Sequence, residues 1–347
     1  MSNNEKEVRL AEESLEKLKL MLAPAGQNIV ILSHSNPDGD AIGSSLAWSR
    51  VLDGMGHNVM CVVPNRYPYF LDWMDGIDHI RIFKESPEPI IEAIGRADLI
   101  FCLDFNAISR LEALTEAIEH NTSAKRILID HHLSPQHVYD LSFSHPESSS
   151  TSYLVCLLIE RLFGKERFNR QIAESLYVGM MTDTGNFSFS TLTPGLFRMV
   201  ATLLETGINI PTIYNNVYNA FTEGRARLFG YVIDKKMGII HNGEVAYMSL
   251  KENEMRRFGF QLGDSEGFVN YPLSIKRIKM SAMFLATHRF IRISLRSRGD
   301  VDVNVFARRY FEGGGHKNAA GGKSFRTMEQ TIEYFRRAVE EFFAEIG

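Results

Sequence analysis

Cysteine is scarce in this sequence. Three residues in 347, Cys61, Cys102 and Cys156, make neither a CxxC pair nor a disulfide framework, so a stapled secreted domain is excluded and a reducing cytoplasm is the expected compartment. Long hydrophobic runs are missing as well. No apolar stretch approaches the ~18–20 residues that cross a bilayer, and the opening MSNNEKEVRL lacks the apolar segment of a signal peptide. No low-complexity tract interrupts a composition that is 44% apolar and 23% charged, which argues against disorder. At roughly 100–200 residues per domain, two domains are expected of a globular, cytoplasmic protein with no membrane partner.

Excess charge is small too, since 38 basic residues nearly balance 42 acidic ones and leave a formal net charge of −4. The charges are unevenly spread, however. From Lys235 onward there are 19 basic and 13 acidic residues, against 19 and 29 before it. An acidic half suited to cations and a basic half suited to an anionic substrate is one reading, and scattered surface charge is the other. The motifs choose between them.

Short apolar runs at 28–33, 58–63, 98–103 and 126–129 alternate with helical patterns, including 41–52, 151–163 and 170–181. That alternation predicts βαβ units and a mostly parallel sheet. A first helix is expected from the apolar spacing of Leu10, Leu15, Leu18 and Leu22, stopping near Gly26. Thr193 suits an N-cap, Pro194 a first helical position and Gly207 a stop, and a second helical stretch is expected over 210–235. Beyond Gly238, strands are expected at 244–250, 280–286, 290–295 and 301–306, with a closing helix over 328–343. The expected fold is α/β: a catalytic domain over 1–190, a helical connector over 191–237 and a smaller α/β domain over 238–347.

The first strand runs into His34-Ser35-Asn36-Pro37-Asp38-Gly39-Asp40, three metal-competent side chains on a stiffened turn where ligands of parallel sheets collect. Another strand runs into Asp104, the next into Asp130-His131-His132, and Asp183 follows an apolar helix. Any one of these could merely cap a helix; four in one domain point to a site. Histidine with carboxylate suits Mn²⁺ or another borderline divalent ion better than Mg²⁺ or Ca²⁺. Two ions sharing a carboxylate would clamp a phosphoryl group, so phosphoester hydrolysis is the natural reaction. Arg296-Ser297-Arg298 and the run from Gly313 through Gly314, Gly315, His316 and Lys317 to Gly322 add a glycine-lined, basic place for phosphate.

Taken together these segments resemble the DHH phosphoesterase family, named for a motif matching Asp130-His131-His132, over nearly the whole chain. His34-x-x-x-Asp38-x-Asp40 is similar to its first motif, Asp104 to the second and Asp183 to the fourth. Arg296–Arg298, Val301-Asp302-Val303-Asn304 and the glycine-rich run resemble the DHH-associated domain. Within the family, the length and the GGGH loop resemble the NrnA type, bifunctional oligoribonucleases and pAp phosphatases.

The resemblance implies one Mn²⁺ on His34, Asp38 and Asp104, and a second on Asp40, Asp104, His131 and Asp183, with Asp104 shared and a bridging hydroxide as nucleophile. It makes His132, Asp130 and Asp104 catalytic, with His132 facing the scissile phosphate and Asp130 orienting the histidine pair. It assigns substrate binding to Arg296, Ser297, Arg298, Asn304, Gly314, Gly315 and His316. Short RNA oligonucleotides and pAp are the implied substrates, and a homodimer the implied assembly. A cyclic-dinucleotide (c-di-AMP or pApA) phosphodiesterase is the leading alternative. A pyrophosphatase or exopolyphosphatase and a non-catalytic, metal-dependent nucleotide sensor stand behind it.

Overall fold

The structure, a computed structural model, describes residues 7–189 and 191–346. It falls into two compact units, one ending at Ala220 and the other beginning at Phe221. Among the described residues, no helix is long and apolar enough to cross a membrane.

The first unit runs α1 (Glu12–Leu22), β1 (Asn28–Ser33), α2 (Gly39–Asp53), β2 (Asn58–Val63), β3 (Arg81–Ile82), α3 (Pro87–Gly95) and β4 (Leu99–Leu103). It continues with α4 (Leu114–His120), β5 (Lys125–Asp130), β6 (Leu141–Ser144), α5 (Thr151–Phe163), α6 (Arg170–Asp183), α7 (Pro194–Glu205) and α8 (Ile210–Tyr214). Its six strands lie in the order β3-β2-β1-β4-β5-β6, and every neighbouring pair is parallel. Parallel strands are covered on both faces, which is why β1 and β4 carry unbroken apolar stretches, IVIL within NIVILS and the whole of LIFCL. From β1 the chain works outward to β3, then returns to β4 on the other side. That reversal leaves a crevice at the carboxyl ends of β1 and β4, where open α/β sheets bind ligands.

Helix starts follow the cap chemistry in the sequence. Asp38 accepts from the N–H groups of Asp40 and Ala41 at the head of α2, Ser150 from Tyr153 at α5, and Thr193 from Leu196 at α7. Glycine lets α2 and α6 approach closely. A Cβ on Gly43 would lie 2.3 Å from the Ser175 carbonyl oxygen, and one on Gly39 2.4 Å from Thr182 Oγ1. The expected helical stretch over 210–235 is broken at 220–222, where Thr222 caps a new helix by accepting from Arg225 N–H.

The second unit runs α9 (Glu223–Tyr231), β7 (Gly238–Ile240), β8 (Val245–Leu250), α10 (Glu252–Arg257), β9 (Met280–Ala286) and β10 (Ile291–Ser297). It closes with α11 (Val303–Tyr310), β11 (Gly314–His316), β12 (Ala319–Ser324) and α12 (Met328–Ile346). The mixed sheet is ordered β11-β12-β10-β9-β8-β7, with β8 and β9 its parallel pair. Alternation along β10 buries Ile291, Ile293, Leu295 and Ser297 and turns Arg292, Ser294 and Arg296 to the other face. Phe284, Phe306, Phe335 and Phe342 fill the core.

One expected strand, 301–306, is instead the start of α11. Val301-Asp302-Val303-Asn304 mimics a two-residue period, but the Asp302 carboxylate accepts from the N–H groups of Asn304 and Val305 and starts a helix. Val303, Phe306 and Ala307 then fall on one buried face at helical spacing.

Candidate functional site

The crevice between β1 and β4 gathers the polar residues that follow their ends. His34, just past β1, is buried and donates its Nδ1–H to the Ser35 carbonyl at 2.9 Å, so the lone pair of the neutral ring lies on Nε2, 3.4 Å from Asp104 Oδ2. Asp104 follows β4 with a φ of +65°, a left-handed turn that aspartate tolerates better than most residues. Beyond β5, buried His131 donates Nδ1–H to the Ser148 carbonyl at 3.3 Å. Its Nε2 faces Asp183 Oδ2 at 3.4 Å, Asp104 Oδ1 at 3.5 Å and Asp40 Oδ2 at 3.9 Å. His132 packs edge-on against His131 and directs Nδ1 to Asp130 Oδ1 at 2.7 Å.

All three histidines therefore spend Nδ1 on a protein acceptor. His34, Asp38 and Asp104 bring one donor atom each within 4.8 Å of one another, as do Asp40, Asp104 and His131, and Asp104, Asp130 and His132. Asp104 is common to all three groups. Asp183, the last residue of α6, joins through His131.

The electrostatics of this cluster are those of crowded buried charge. Burial pushes Asp40 well above the usual carboxylate range, and the Asp104 and Asp183 charges push it further. Burial would raise Asp104 too, but the facing His131 and His34 rings hold it well below that range. Burial and the Arg110 charge oppose a proton on His34, yet Asp104 and Asp38 outweigh them and raise its pKa. His131 is raised further, burial again being overcome, by Asp183, Asp104 and Asp40. The donor set, imidazole nitrogens beside carboxylate oxygens, fits a borderline divalent cation. One buried acceptor, Asp130 Oδ2, has no hydrogen-bond partner among the described residues.

In the second unit, Arg296 leaves the sheet on the face opposite the core, its Nη1 donating to the Leu295 carbonyl at 3.0 Å. Ser297 is buried; its hydroxyl donates to the Val301 carbonyl at 2.6 Å and accepts from Asn318 Nδ2 at 2.8 Å. Arg298 is exposed. Asn304 Oδ1 accepts from Arg308 Nε at 2.9 Å, and both atoms lie just under 4 Å from where a Cβ on Gly314 would stand. Gly315 has φ +145°, and a Cβ there would stand 2.5 Å from the Ala319 carbonyl oxygen. His316 ends β11, half-buried.

The DHH family, N-terminal domain, matches residues 28–180, and the DHHA1 domain matches residues 242–345. The chain belongs to the DHH family. It is a phosphoesterase of that family and a hydrolase. Its fold is close to the crystal structure of an exopolyphosphatase-related protein from Bacteroides fragilis. That likeness has a TM-score of 0.89 and 40% identity, and covers 96% of this chain and 97% of the other. It is 28% identical to the bifunctional oligoribonuclease and PAP phosphatase NrnA of Thermus thermophilus, over 100% of this chain and 99% of that protein. It is 26% identical to the cyclic-di-AMP phosphodiesterase GdpP of Bacillus subtilis, over 98% of this chain but 51% of that one.

The residues that hold the site of this DHH chain from behind lie outside its motifs. The run Ser148-Ser149-Ser150-Thr151-Ser152 caps and opens α5, and it also supplies partners to Asp40, Asp104 and His131. Asn106 donates Nδ2–H to the Leu133 carbonyl at 2.6 Å and accepts at its own carbonyl from Gln136 N–H at 2.9 Å, lacing down the loop after His132. Arg308 lies beyond the stretch expected as a strand and in no motif; the helix α11 is what sets it one turn from Asn304.

Proposed function

We propose that this chain is a metal-dependent oligoribonuclease and pAp phosphatase of the NrnA type, hydrolysing short oligoribonucleotides to mononucleotides and pAp to AMP. The observation that carries the reading is Asp104, one buried carboxylate with His34 on one oxygen and His131 on the other. In this reading His34, Asp38 and Asp104 would hold one ion, and Asp40, Asp104, His131 and Asp183 a second, with Mn²⁺ favoured by the mixed nitrogen and oxygen donors. Bound there, such ions supply Lewis-acid activation of water and of the phosphoryl oxygens.

The remaining roles belong to side chains. Asp130 fixes the His132 tautomer, leaving the lone pair of the neutral ring on Nε2, the atom suited to meet the scissile group. Residues 1–190 would act as the hydrolytic domain and 191–237 as a helical connector. Residues 238–347 would bind substrate, with Arg296, Ser297, Arg298, Asn304, Gly314, Gly315 and His316 around the 5′-nucleotide. Two arginines and a glycine-lined strand suit phosphate recognition by forked side-chain donors and backbone N–H groups. One geometry would serve both substrates, since the 3′-linked phosphorus is a terminal monoester in pAp and the linking diester in a dinucleotide.

Similarity end to end with the Thermus thermophilus NrnA favours this substrate class. A cyclic-dinucleotide phosphodiesterase is the second reading, favoured by the GdpP match, which spans about half of that relative. The deciding experiment is parallel hydrolysis of pAp, a 5′-phosphorylated diribonucleotide, c-di-AMP and pyrophosphate with Mn²⁺. Cleavage of the first two to mononucleotides supports the proposal, and preference for either of the others replaces the substrate.

A further inference from the structure

Thr151 touches two carboxylates of the cluster, Asp40 and the shared Asp104. Its backbone N–H donates to Asp40 Oδ2 at 2.7 Å, and its hydroxyl donates to Asp104 Oδ1 at 3.0 Å. Ser152 N–H completes the hold on Asp40 by donating to Oδ1 at 2.8 Å. All four residues are buried.

The two contacts have different origins. The N–H groups of Thr151 and Ser152 belong to the first turn of α5, where helices leave donors unsatisfied and favour negative charge, so Asp40 is held by backbone. The contact with Asp104 depends on a side chain alone. A carboxylate turns about its last torsion in a broad, roughly two-fold well, so its terminal oxygens are not fixed by the rotamer itself. Here they have separate duties: Oδ1 faces His131 Nε2 at 3.5 Å and Oδ2 faces His34 Nε2 at 3.4 Å. The Thr151 hydroxyl sits on Oδ1, on a β-branched side chain whose own torsion is stiff.

We infer that Thr151 is a positioning residue whose hydroxyl divides the two oxygens of Asp104 between the His34 side and the His131 side, so that one carboxylate serves both. The inference rests on the metal-binding reading of the cluster. Groups that orient metal ligands from behind are typically worth about 10–100-fold in affinity.

The test is a Mn²⁺ titration of the full metal-free chain, followed by loss of the free-ion electron paramagnetic resonance signal. Thr151→Val removes the hydroxyl while keeping shape and the backbone N–H to Asp40. It is expected to bind Mn²⁺ about 10–100-fold more weakly than wild type, while Thr151→Ser keeps wild-type-like affinity and both keep the native melting transition. Because valine beside a buried carboxylate can unfold the chain, Thr151→Ser and Thr151→Ala form a second pair in which only the serine variant keeps the affinity. Equal affinities of wild type and Thr151→Val, or of the serine and alanine variants, overturn the inference while leaving the metal reading intact. A wild-type chain that binds no Mn²⁺ overturns the metal reading, and this inference with it.

Discussion

A Cβ placed on Gly179 would stand 2.7 Å from Asp40 Oδ1 and 1.9 Å from Ser152 Oγ. Asp40 cannot retreat, because two backbone N–H groups of α5 hold its oxygens. The missing side chain on α6 is thus what lets α2 present this carboxylate to His131. Gly179→Ala is expected to cost about 1–3 kcal/mol of stability by overpacking and to lower kcat/KM through displacement of Asp40. Gly95→Ala, where nothing lies within 4 Å of the added methyl, is the control and should leave both unharmed. Thermal melts and steady-state hydrolysis of the two variants side by side decide the point; equal behaviour would remove Gly179 from the site.

Asp104→Asn tests the shared carboxylate cleanly. Residue 104 has φ +65°, which asparagine also tolerates, whereas alanine would add about 1–2 kcal/mol of backbone strain. The amide keeps the shape and removes the charge between His34 and His131. Turnover is expected to fall by about a thousandfold or more, the equivalent of several kcal/mol of transition-state stabilisation. Assay of the purified variant under saturating Mn²⁺ checks this, and near-normal turnover refutes a role for the Asp104 charge.

What the sequence makes legible here is local. His34, Asp38 and Asp40 lie within seven residues, and Asp130, His131 and His132 are consecutive, so strand-end position and residue type expose them together. The parallel sheet is legible because β1, β2, β4 and β5 are short apolar runs bounded by polar residues. The supports are illegible because they are distant: Thr151 reaches Asp40 across 111 positions, and Asn106 reaches Leu133 across 27. Gly179 looks like an ordinary helix glycine until α2 is seen against it. Residues 301–306 misled because a two-residue period and a capping aspartate compete over the same stretch, and the cap prevailed.

Arg308 and Arg309 are neighbours with different partners. Arg309 is paired, to Glu341 at 2.6 Å and Glu345 at 2.5 Å, while Arg308 has no carboxylate within ion-pair distance among the described residues and contacts Asn304 beside Gly314. An unneutralised guanidinium beside a glycine-lined strand suits phosphate. Arg308→Ala should raise KM about 10–100-fold, the value of a charge-assisted hydrogen bond, with kcat little changed. Arg309→Ala should leave KM alone and cost at most about 1 kcal/mol, as exposed ion pairs do. Michaelis–Menten curves for both variants give the answer, and a KM effect in the Arg309 variant alone would reverse the assignment.

The raised pKa values of His34 and His131 give the metal-free chain a definite pH dependence. A histidine whose folded pKa exceeds its unfolded value of about 6.5 contributes stability below that value and loses it as pH rises through the folded one. Asp40, also raised, acts in the same direction by penalising folding once the unfolded carboxylate has ionised. The chain stripped of metal should therefore melt at a lower temperature at pH about 8.5 than at pH about 6. A divalent ion needs these same groups deprotonated, so its binding must release protons and tighten as pH rises. The rise in melting temperature on adding Mn²⁺ should be larger at the higher pH, and calorimetric titrations in buffers of different ionisation enthalpy should show net proton release. Binding that is independent of pH, with no proton release, would mean that the ion avoids His34 and His131 altogether.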